Sequence, residues 1–146
     1  MITRYVLSGS GGQGVITAAI VLAEAAVYHE GLEAVQTQSY GPEARGGSAR
    51  ADVIIATDPI LFPKVLEPNV LVCLSQLAYD KYAWIVRPGG IIVLDSHFVA
   101  RRQNVHSRQV ELDLYRSVAD QGAVEIINAS GGVLDCFPRM DINDVV

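Results

Sequence analysis

The chain has 146 residues, of which 50% are hydrophobic and 18% charged, and its formal net charge is −5. This length suffices for one domain with a hydrophobic core and is short for two, so we predict a single domain over residues 1–146. The acidic balance, without a basic patch interleaved with aromatic residues, argues against a nucleic-acid partner.

The charged fraction lies below the average of about 25% for soluble domains. Two explanations stay open: another chain covers part of the surface, or the core is compact and rich in alanine and valine. The longest apolar stretch, residues 15–27, contains Thr17 and Glu24 and is too short to span a bilayer. Met1 leads directly into a strand-like segment without a signal peptide, so we expect a cytoplasmic protein with no membrane partner.

The first half of the chain predicts three strands and one long helix. The strands are expected at residues 5–7, 35–39 and 48–56, and the helix at residues 13–30, closed by Gly31. The link between the last two strands, residues 40–47, is rich in glycine and proline and cannot hold a crossover helix. We therefore expect these two strands to be antiparallel if they are neighbours.

Polar residues occupy one narrow side of the predicted helix. At about 100° per residue, Gln13, Thr17 and Glu24 lie within about 40° of one another. Most of the remaining perimeter is Ala, Val, Ile or Leu. One face can cover a sheet, and we expect the rest to meet another helix or another subunit.

The second half of the chain continues the alternation of strands and helices. The predicted elements are a turn or short helix at Asp58, strands at 70–74 and 91–94, a helix at 77–86, a loop at 97–107, a strand at 110–114, a helix at 115–121 and a strand at 124–127. The continuous apolar strands are typical of parallel strands covered on both faces. We predict an α/β fold: a single three-layer Rossmann-like domain with a mainly parallel mixed sheet.

The glycine loop, residues 9–14, reads GSGGQG and fits the pattern G-x-G-x-x-G. Its amides could hold a phosphate or carboxylate at the helix N-terminus. A dinucleotide site also needs an acidic residue at the end of the second strand, where this chain has Gln38, Ser39 and Tyr40, so NAD or FAD is not favoured. Two interpretations stay open: the glycines permit close packing of helix and strand, or an anionic group or a partner's backbone approaches the loop.

The 40–47 loop combines an aromatic residue, a rigid Gly-Pro pair, a carboxylate, a guanidinium and two glycines. Arg45 could bind a phosphate or carboxylate with two parallel hydrogen bonds, or it could pair with Glu43 and fix an exposed loop. The loop follows the second strand, so we expect it near the glycine loop, at the usual ligand edge of an open α/β sheet.

Other reactive side chains give weaker signals. Asp95, Ser96 and His97 follow a predicted strand, but no G-x-S-x-G elbow is present, and we interpret Asp95 as a turn or cap residue. The two cysteines, Cys73 and Cys136, belong to no Cys/His cluster, which excludes a self-contained iron–sulfur or zinc site. We predict no catalytic residue and no metal ligand in this chain.

The glycine loop and the segment TQSYGPEARGG at residues 37–47, at this spacing, resemble the gamma subunit of 2-oxoacid:ferredoxin oxidoreductases. The second motif is most similar to the 2-oxoglutarate branch of that family. Further support comes from PNVLV at 68–72, LSQ at 74–76 and PGGIIVLDS at 88–96. The resemblance covers residues 5–97 well, can be traced to Asn128 and fails beyond it.

The resemblance implies a reaction carried out by a complex. Such enzymes decarboxylate a 2-oxoacid on thiamine diphosphate, pass electrons through iron–sulfur clusters to ferredoxin and release an acyl-CoA. This chain has no thiamine motif and no cysteine cluster, so it would be a non-catalytic subunit that is inactive alone. The cofactors would be carried by alpha and beta partner subunits, with a delta subunit as a further candidate. Isolated, it is expected to self-associate.

The same resemblance implies that the two loops contribute to the coenzyme A region or to a partner contact. The residues concerned are Gly9, Gly11, Gly12, Gln13, Gly14, Tyr40, Gly41, Arg45, Gly46 and Gly47. The alternative function is a stand-alone nucleotide- or phosphate-binding module with a Rossmann-like sheet, and a non-enzymatic assembly factor ranks third.

Overall fold

The computed structural model describes residues 1–39 and 47–112. The regular elements in chain order are the strands and helices β1 (Ile2–Ser10), α1 (Val15–Tyr28), β2 (Glu33–Gln38), β3 (Ser48–Ala56), β4 (Val70–Cys73), α2 (Gln76–Tyr82), β5 (Ile91–Asp95) and β6 (Arg108–Leu112). A 3₁₀ turn, Ala83–Ile85, continues α2. The predicted helix at 115–121 and strand at 124–127 lie outside the described residues.

The six strands form one mixed sheet in the order β2-β3-β1-β4-β5-β6. The pairs β1–β4, β4–β5 and β5–β6 are parallel, and the pairs β1–β3 and β2–β3 are antiparallel. The predicted mainly parallel mixed sheet is therefore confirmed. The antiparallel pairing of β2 with β3 is also confirmed, because the short link between them leaves no room for a crossover.

Helices cover both faces of the sheet, which confirms the three predicted layers. Alternation along β1 sends Tyr5 and Leu7 to one face and Val6 to the other. On the first face α1 presents the buried stripe Val15, Ala19, Leu22 and Ala26. On the second face α2 buries Ala78, Tyr79 and Tyr82. Parallel strands β4 and β5 are apolar on both sides because each face meets a helix layer.

Several element bounds differ from the sequence prediction. Strand β1 extends to Ile2 and Ser10 because it pairs with the whole of β3, from Ile2 opposite Ala56 to Ser10 opposite Ser48. Most of the added residues are polar or small and carry no apolar signal. Helix α1 begins two residues later than predicted because Gly14 has φ 77°, which is outside the helical region.

The remaining shifts are in the second half of the chain. The predicted helix at 77–86 is observed as α2 plus the 3₁₀ turn, since the backbone tightens after Tyr82. Strand β6 begins at Arg108, two residues before the predicted start, because Arg108 already pairs with Ile91 of β5. Residues 97–107 form no helix or strand, as predicted. Residues 57–69 also form neither, so of the turn or short helix predicted at Asp58 the helix does not form.

Candidate functional site

The glycine loop lies at the carboxyl edge of the parallel strands, between β1 and α1. Gly12 and Gly14 have φ of 86° and 77°, which residues with a Cβ rarely adopt. Gly11 has open space around it, whereas a Cβ at position 9 would lie 2.5 Å from Gln13 Oε1. The glycines therefore serve different purposes: two turn the chain, and Gly9 permits a close approach.

Gln13 connects the loop to the neighbouring strand. Its Oε1 accepts from the Ser10 amide at 2.6 Å, and its Nε2 donates to the Leu74 carbonyl at 2.8 Å. The Ser10 amide is therefore already satisfied and is not available to an anion. Among the described residues, the amides of Gly11, Gly12 and Gly14 have no hydrogen-bond acceptor, so these are the donors that the loop offers.

The end of the 40–47 loop reaches the same edge of the sheet. Ser10 pairs with Ser48 in the β1–β3 register, which places Gly47 beside the glycine loop. A Cβ at position 47 would lie 3.7 Å from Leu77 Cδ2 at the start of α2. The C-terminal end of β1 and the N-terminal ends of β3 and α2 therefore meet at this edge. Tyr40, Gly41, Arg45 and Gly46 lie outside the described residues, and their roles stay predictions.

A basic cluster that the sequence reading missed lies just below this edge, on the α2 face. Arg50 forms a two-pronged ion pair with Asp52 (2.7 and 2.9 Å) and donates to the Val65 carbonyl at 2.9 Å. Its guanidinium lies 5.3 Å from the centre of the Tyr82 ring. The i, i+2 spacing of Arg50 and Asp52 on a strand was the available signal, since both then face the same side.

Lys81 belongs to the same cluster. Its Nζ approaches the Ser48 hydroxyl at 3.4 Å and lies 5.3 Å from the centre of the Tyr82 ring. Tyr82 is 4% exposed, and its hydroxyl has no hydrogen-bond partner among the described residues. The ring attracts both cations through its quadrupole. Among the described residues, the cluster therefore joins two cations and one carboxylate around the Tyr82 ring.

Two side chains stabilise the same edge without offering a reactive group. Ser75 caps α2, since its hydroxyl accepts from the Ala78 amide at 3.2 Å. Asp95 is buried, and its Oδ1 accepts from the His97 amide at 2.8 Å. The interpretation of Asp95 as a turn residue is confirmed by that hydrogen bond.

Cys73, at the end of β4, is an inert thiol. Burial raises its pKa to about 12, although the hydrogen bond from Ser8 lowers it slightly. A thiol that stays protonated is neither a nucleophile nor a metal ligand. Within residues 1–39 and 47–112, no group of three or more His, Cys, Asp or Glu side chains could hold a metal ion. In the same residues, no helix has the length and apolar character required to cross a membrane.

The fold and the edge together define a class: a three-layer α/β domain whose glycine loop opens at the carboxyl ends of the parallel strands. The family model described as "Pyruvate ferredoxin/flavodoxin oxidoreductase" matches residues 4–132. The chain belongs to this family.

Individual relatives agree with this assignment. The chain is 54% identical over 94 residues to the 2-oxoglutarate synthase subunit KorC of Methanocaldococcus jannaschii, covering 64% of this chain and 50% of that one. It is 33% identical to a keto/oxoacid ferredoxin oxidoreductase gamma subunit of Geobacter sulfurreducens, with a TM-score of 0.73, covering 99% of this chain and 79% of that one.

A third comparison concerns the fold alone. The 2-oxoglutarate:ferredoxin oxidoreductase of Magnetococcus marinus, solved with 2-oxoglutarate, coenzyme A and succinyl-CoA, is 17% identical with a TM-score of 0.68. That alignment covers 91% of this chain and 23% of that one. The chain spans about half the length of most of the curated KorC relatives that it matches.

Proposed function

We propose that this protein is the gamma subunit of a multi-subunit 2-oxoacid:ferredoxin oxidoreductase and that its oxoacid is 2-oxoglutarate. The observation that carries the proposal is its identity with relatives named as 2-oxoglutarate synthase subunits. In this role the chain supports oxidative decarboxylation to an acyl-CoA with reduction of ferredoxin, and it is inactive alone.

The cofactors of the reaction would belong to partner chains. Thiamine diphosphate supplies the carbanion chemistry and iron–sulfur clusters the electron transfer, and both are proposed on alpha and beta subunits, with a delta subunit as a further candidate. Cys73 is buried at the end of β4 and is not proposed as a cluster ligand. The complex is proposed to act in the cytoplasm.

The carboxyl edge is the part of this chain proposed to meet coenzyme A or a partner backbone. The amides of Gly11, Gly12 and Gly14 can donate to a phosphate or a carbonyl at this edge. Arg45, in the 40–47 loop, is proposed to pair with a CoA phosphate through its guanidinium. The Gln13 hydrogen bonds would hold this edge in shape while a ligand or partner binds.

Helix α1 supplies the proposed contact with other subunits. Its outer face exposes Ile16, Ile20, Val21, Val27 and Tyr28, which are between 36% and 79% exposed. Glu24 is the charged residue on this helix. An apolar face of this kind is typical of a subunit interface, and in the isolated protein it would favour self-association.

The stand-alone nucleotide-binding module is less well supported. Strand β2 ends at Gln38, and the residues described at that end, Gln38 and Ser39, carry no carboxylate for ribose hydroxyls. The Ser10 amide already donates to Gln13, so it is not available to a phosphate. This alternative predicts tight nucleotide binding by the isolated chain.

The test is reconstitution of the complex. The full chain is co-expressed with the alpha and beta chains of its organism, and CoA-dependent viologen reduction is measured with 2-oxoglutarate, pyruvate and 2-oxoisovalerate. We expect co-purification and a preference for 2-oxoglutarate, and no activity from this chain alone. Turnover by the isolated chain, or a tightly bound dinucleotide, would refute the proposal.

Arg45→Ala tests the coenzyme A contact within the same complex. Losing a charged hydrogen bond to a phosphate should raise the KM for CoA by about tenfold and leave kcat similar. Arg101→Ala is the matched control, since Arg101 is a largely exposed cation paired with Asp80. Unchanged assembly together with an unchanged KM for CoA would remove Arg45 from the site.

A further inference from the structure

A second surface lies at the edge of the sheet opposite the glycine loop. We name it the basal groove and define it by Arg4, Phe62, Lys64, Leu66, Trp84 and Arg87. Two cavities of ≈ 560 Å³ and ≈ 480 Å³ lie side by side there and share Leu66, Glu67 and Pro88 in their walls. Arg4 precedes Tyr5, which pairs with Val70 at the start of β4, so the groove is at the amino ends of the parallel strands.

The apolar part of the groove comes from the segment between β3 and β4, residues 57–69. Pro59, Pro63 and Pro68 restrict its backbone. Leu61, Phe62 and Leu66 point outward and are 94%, 60% and 69% exposed. The segment therefore presents large apolar side chains to solvent on a stiffened backbone.

This segment is fixed to the body of the protein rather than loose. Val65 is 3% exposed, and its carbonyl accepts from Arg50 Nη2 at 2.9 Å. The Asn69 side chain accepts from the Arg4 amide at 3.0 Å. The exposed side chains are therefore held in position before any partner arrives, which lowers the entropic cost of binding.

Trp84 adds an aromatic residue from the 3₁₀ turn at the other end of the groove. It is 63% exposed although the turn itself is anchored by the buried Ala83. Tryptophan is enriched among the residues that carry most of the energy of protein interfaces. A contiguous exposed apolar surface with such an anchor is typical of an interaction site.

The rim of the groove is positively charged. Arg4, Lys64 and Arg87 line it, with Glu67 as the acidic neighbour. In the part of the chain that the structure describes, these three cations form no ion pair. The ion pairs that do form there use Arg50, Arg101 and Arg102.

We propose that the basal groove binds an acidic segment of a partner protein that carries an aliphatic or aromatic side chain. Carboxylates of that segment pair with the cations of the rim, and its apolar side chain fills the cavity between Leu66 and Trp84. The apolar area favours a protein over a free phosphate or a nucleic acid, which would leave the leucines and aromatics in water. This inference does not depend on the proposed function.

Trp84 provides a direct probe, since it is the single tryptophan of the chain. The full chain is titrated with a synthetic peptide of alternating acidic and Leu or Phe residues, free of Trp and Tyr. We expect a saturable blue shift of the tryptophan emission that weakens as salt is added. A peptide with lysine in place of each acidic residue should cause no shift.

Charge reversal tests the rim. Lys64→Glu with Arg87→Glu should weaken binding of the acidic peptide by about tenfold or more, because two attractive contacts become repulsive. The matched control is Arg101→Glu with Arg102→Glu, which changes the net charge equally but lies in the loop after β5. Its affinity for the acidic peptide should stay within about twofold of that of the unmodified chain. Thermal melting establishes that both variants are folded.

Three results would overturn the proposal. The first is no saturable emission change in the unmodified chain, which requires no variant to fold. The second is equal affinity of the acidic and basic peptides, or tighter binding of an oligonucleotide or an anionic vesicle than of the acidic peptide. The third is a groove occupied by a second copy, seen as self-association in sedimentation that the rim variants abolish.

Discussion

At the scale of single residues, Gly9 and Gln13 determine the shape of the glycine loop. The pattern G-x-G-x-x-G is usually interpreted through its ligand, but here Gly9 makes room for the side chain of Gln13, which bonds to Ser10 and Leu74. Both interpretations that the sequence left open have support in this loop: close packing at Gly9, and donor amides at Gly11, Gly12 and Gly14.

Gly9→Ala should destabilise the protein by about 1–3 kcal/mol, as expected for overpacking. The new Cβ would lie 2.5 Å from Gln13 Oε1 and 3.0 Å from Val15 Cγ2. Gly11→Ala is the matched control, because nothing lies within 4 Å of its added Cβ and its φ is not positive. Urea unfolding of both variants makes the comparison, and equal stability of the two would contradict the packing role.

Gln13→Glu should cost about 1–3 kcal/mol at neutral pH, because a carboxylate would face the Leu74 carbonyl that now accepts from Nε2. The protonated form of the introduced carboxyl group can donate to that carbonyl, so its folded-state pKa should be raised above the ordinary value of about 4.3. The free energy of unfolding of the variant is therefore retained below about pH 4.3 and lost as pH rises through the raised pKa. Unfolding at several pH values checks the sign, with the unmodified chain as reference.

The Cys73 thiol makes stability depend on alkaline pH. Burial raises its pKa from 9.0 to about 12, so unfolded chains ionise this thiol before folded ones do. Its contribution is complete below pH 9 and is lost as pH rises toward 12. Cys73→Ala should reduce the loss in free energy of unfolding between pH 9 and pH 12. The comparison is made in two proteins that both carry Cys136→Ser, so that the second thiol does not contribute. An equal pH dependence of the free energy of unfolding in the two proteins would contradict the role of Cys73.

At the scale of elements, Arg50 joins three parts of the fold. From β3 it contacts Asp52 on its own strand, the Val65 carbonyl of the 57–69 segment and the Tyr82 ring of α2. Arg50 therefore belongs to the cluster below the carboxyl edge. It also holds in place the 57–69 segment, whose side chains line the basal groove.

Arg50→Ala should destabilise the protein by about 1.5–3 kcal/mol, the range for hydrogen bonds to charged groups. Asp52, with a side chain only 13% exposed, would then keep its charge without this partner. Arg50→Lys is the matched control: it retains the charge but not the planar fork, so it should recover part of the loss. Thermal unfolding measures both, and equal losses would mean that charge makes no contribution.

At the scale of the whole molecule, three surfaces are presented in different directions: the carboxyl edge, the basal groove and the outer face of α1. In the proposed complex, separate surfaces of this kind would let the chain contact more than one partner. The acidic net charge of −5 contrasts with the basic rim of the basal groove, so partner preference at that groove should depend on salt.

Ile20→Ser with Val21→Ser should reduce self-association of the isolated chain and its assembly with partners. Both side chains are exposed, at 38% and 50%, so the monomer should lose only about 1 kcal/mol from lower helix propensity and buried area. Glu24→Gln, on the same helix, is the control. Sedimentation velocity across a concentration series checks the result, and unchanged association would exclude this face.

The sequence by itself determined the α/β class, most element positions, the antiparallel turn between β2 and β3 and an incompletely covered α1. These follow from local periodicity and from turn residues such as Gly31, which act over a few positions. Only the tertiary structure decided that Gln13 reaches Leu74, that Arg50 meets Val65 and Tyr82, and that Phe62 and Trp84 share one groove. These contacts join residues from 15 to 61 positions apart because strand order and register set them, and no local pattern encodes which strands become neighbours.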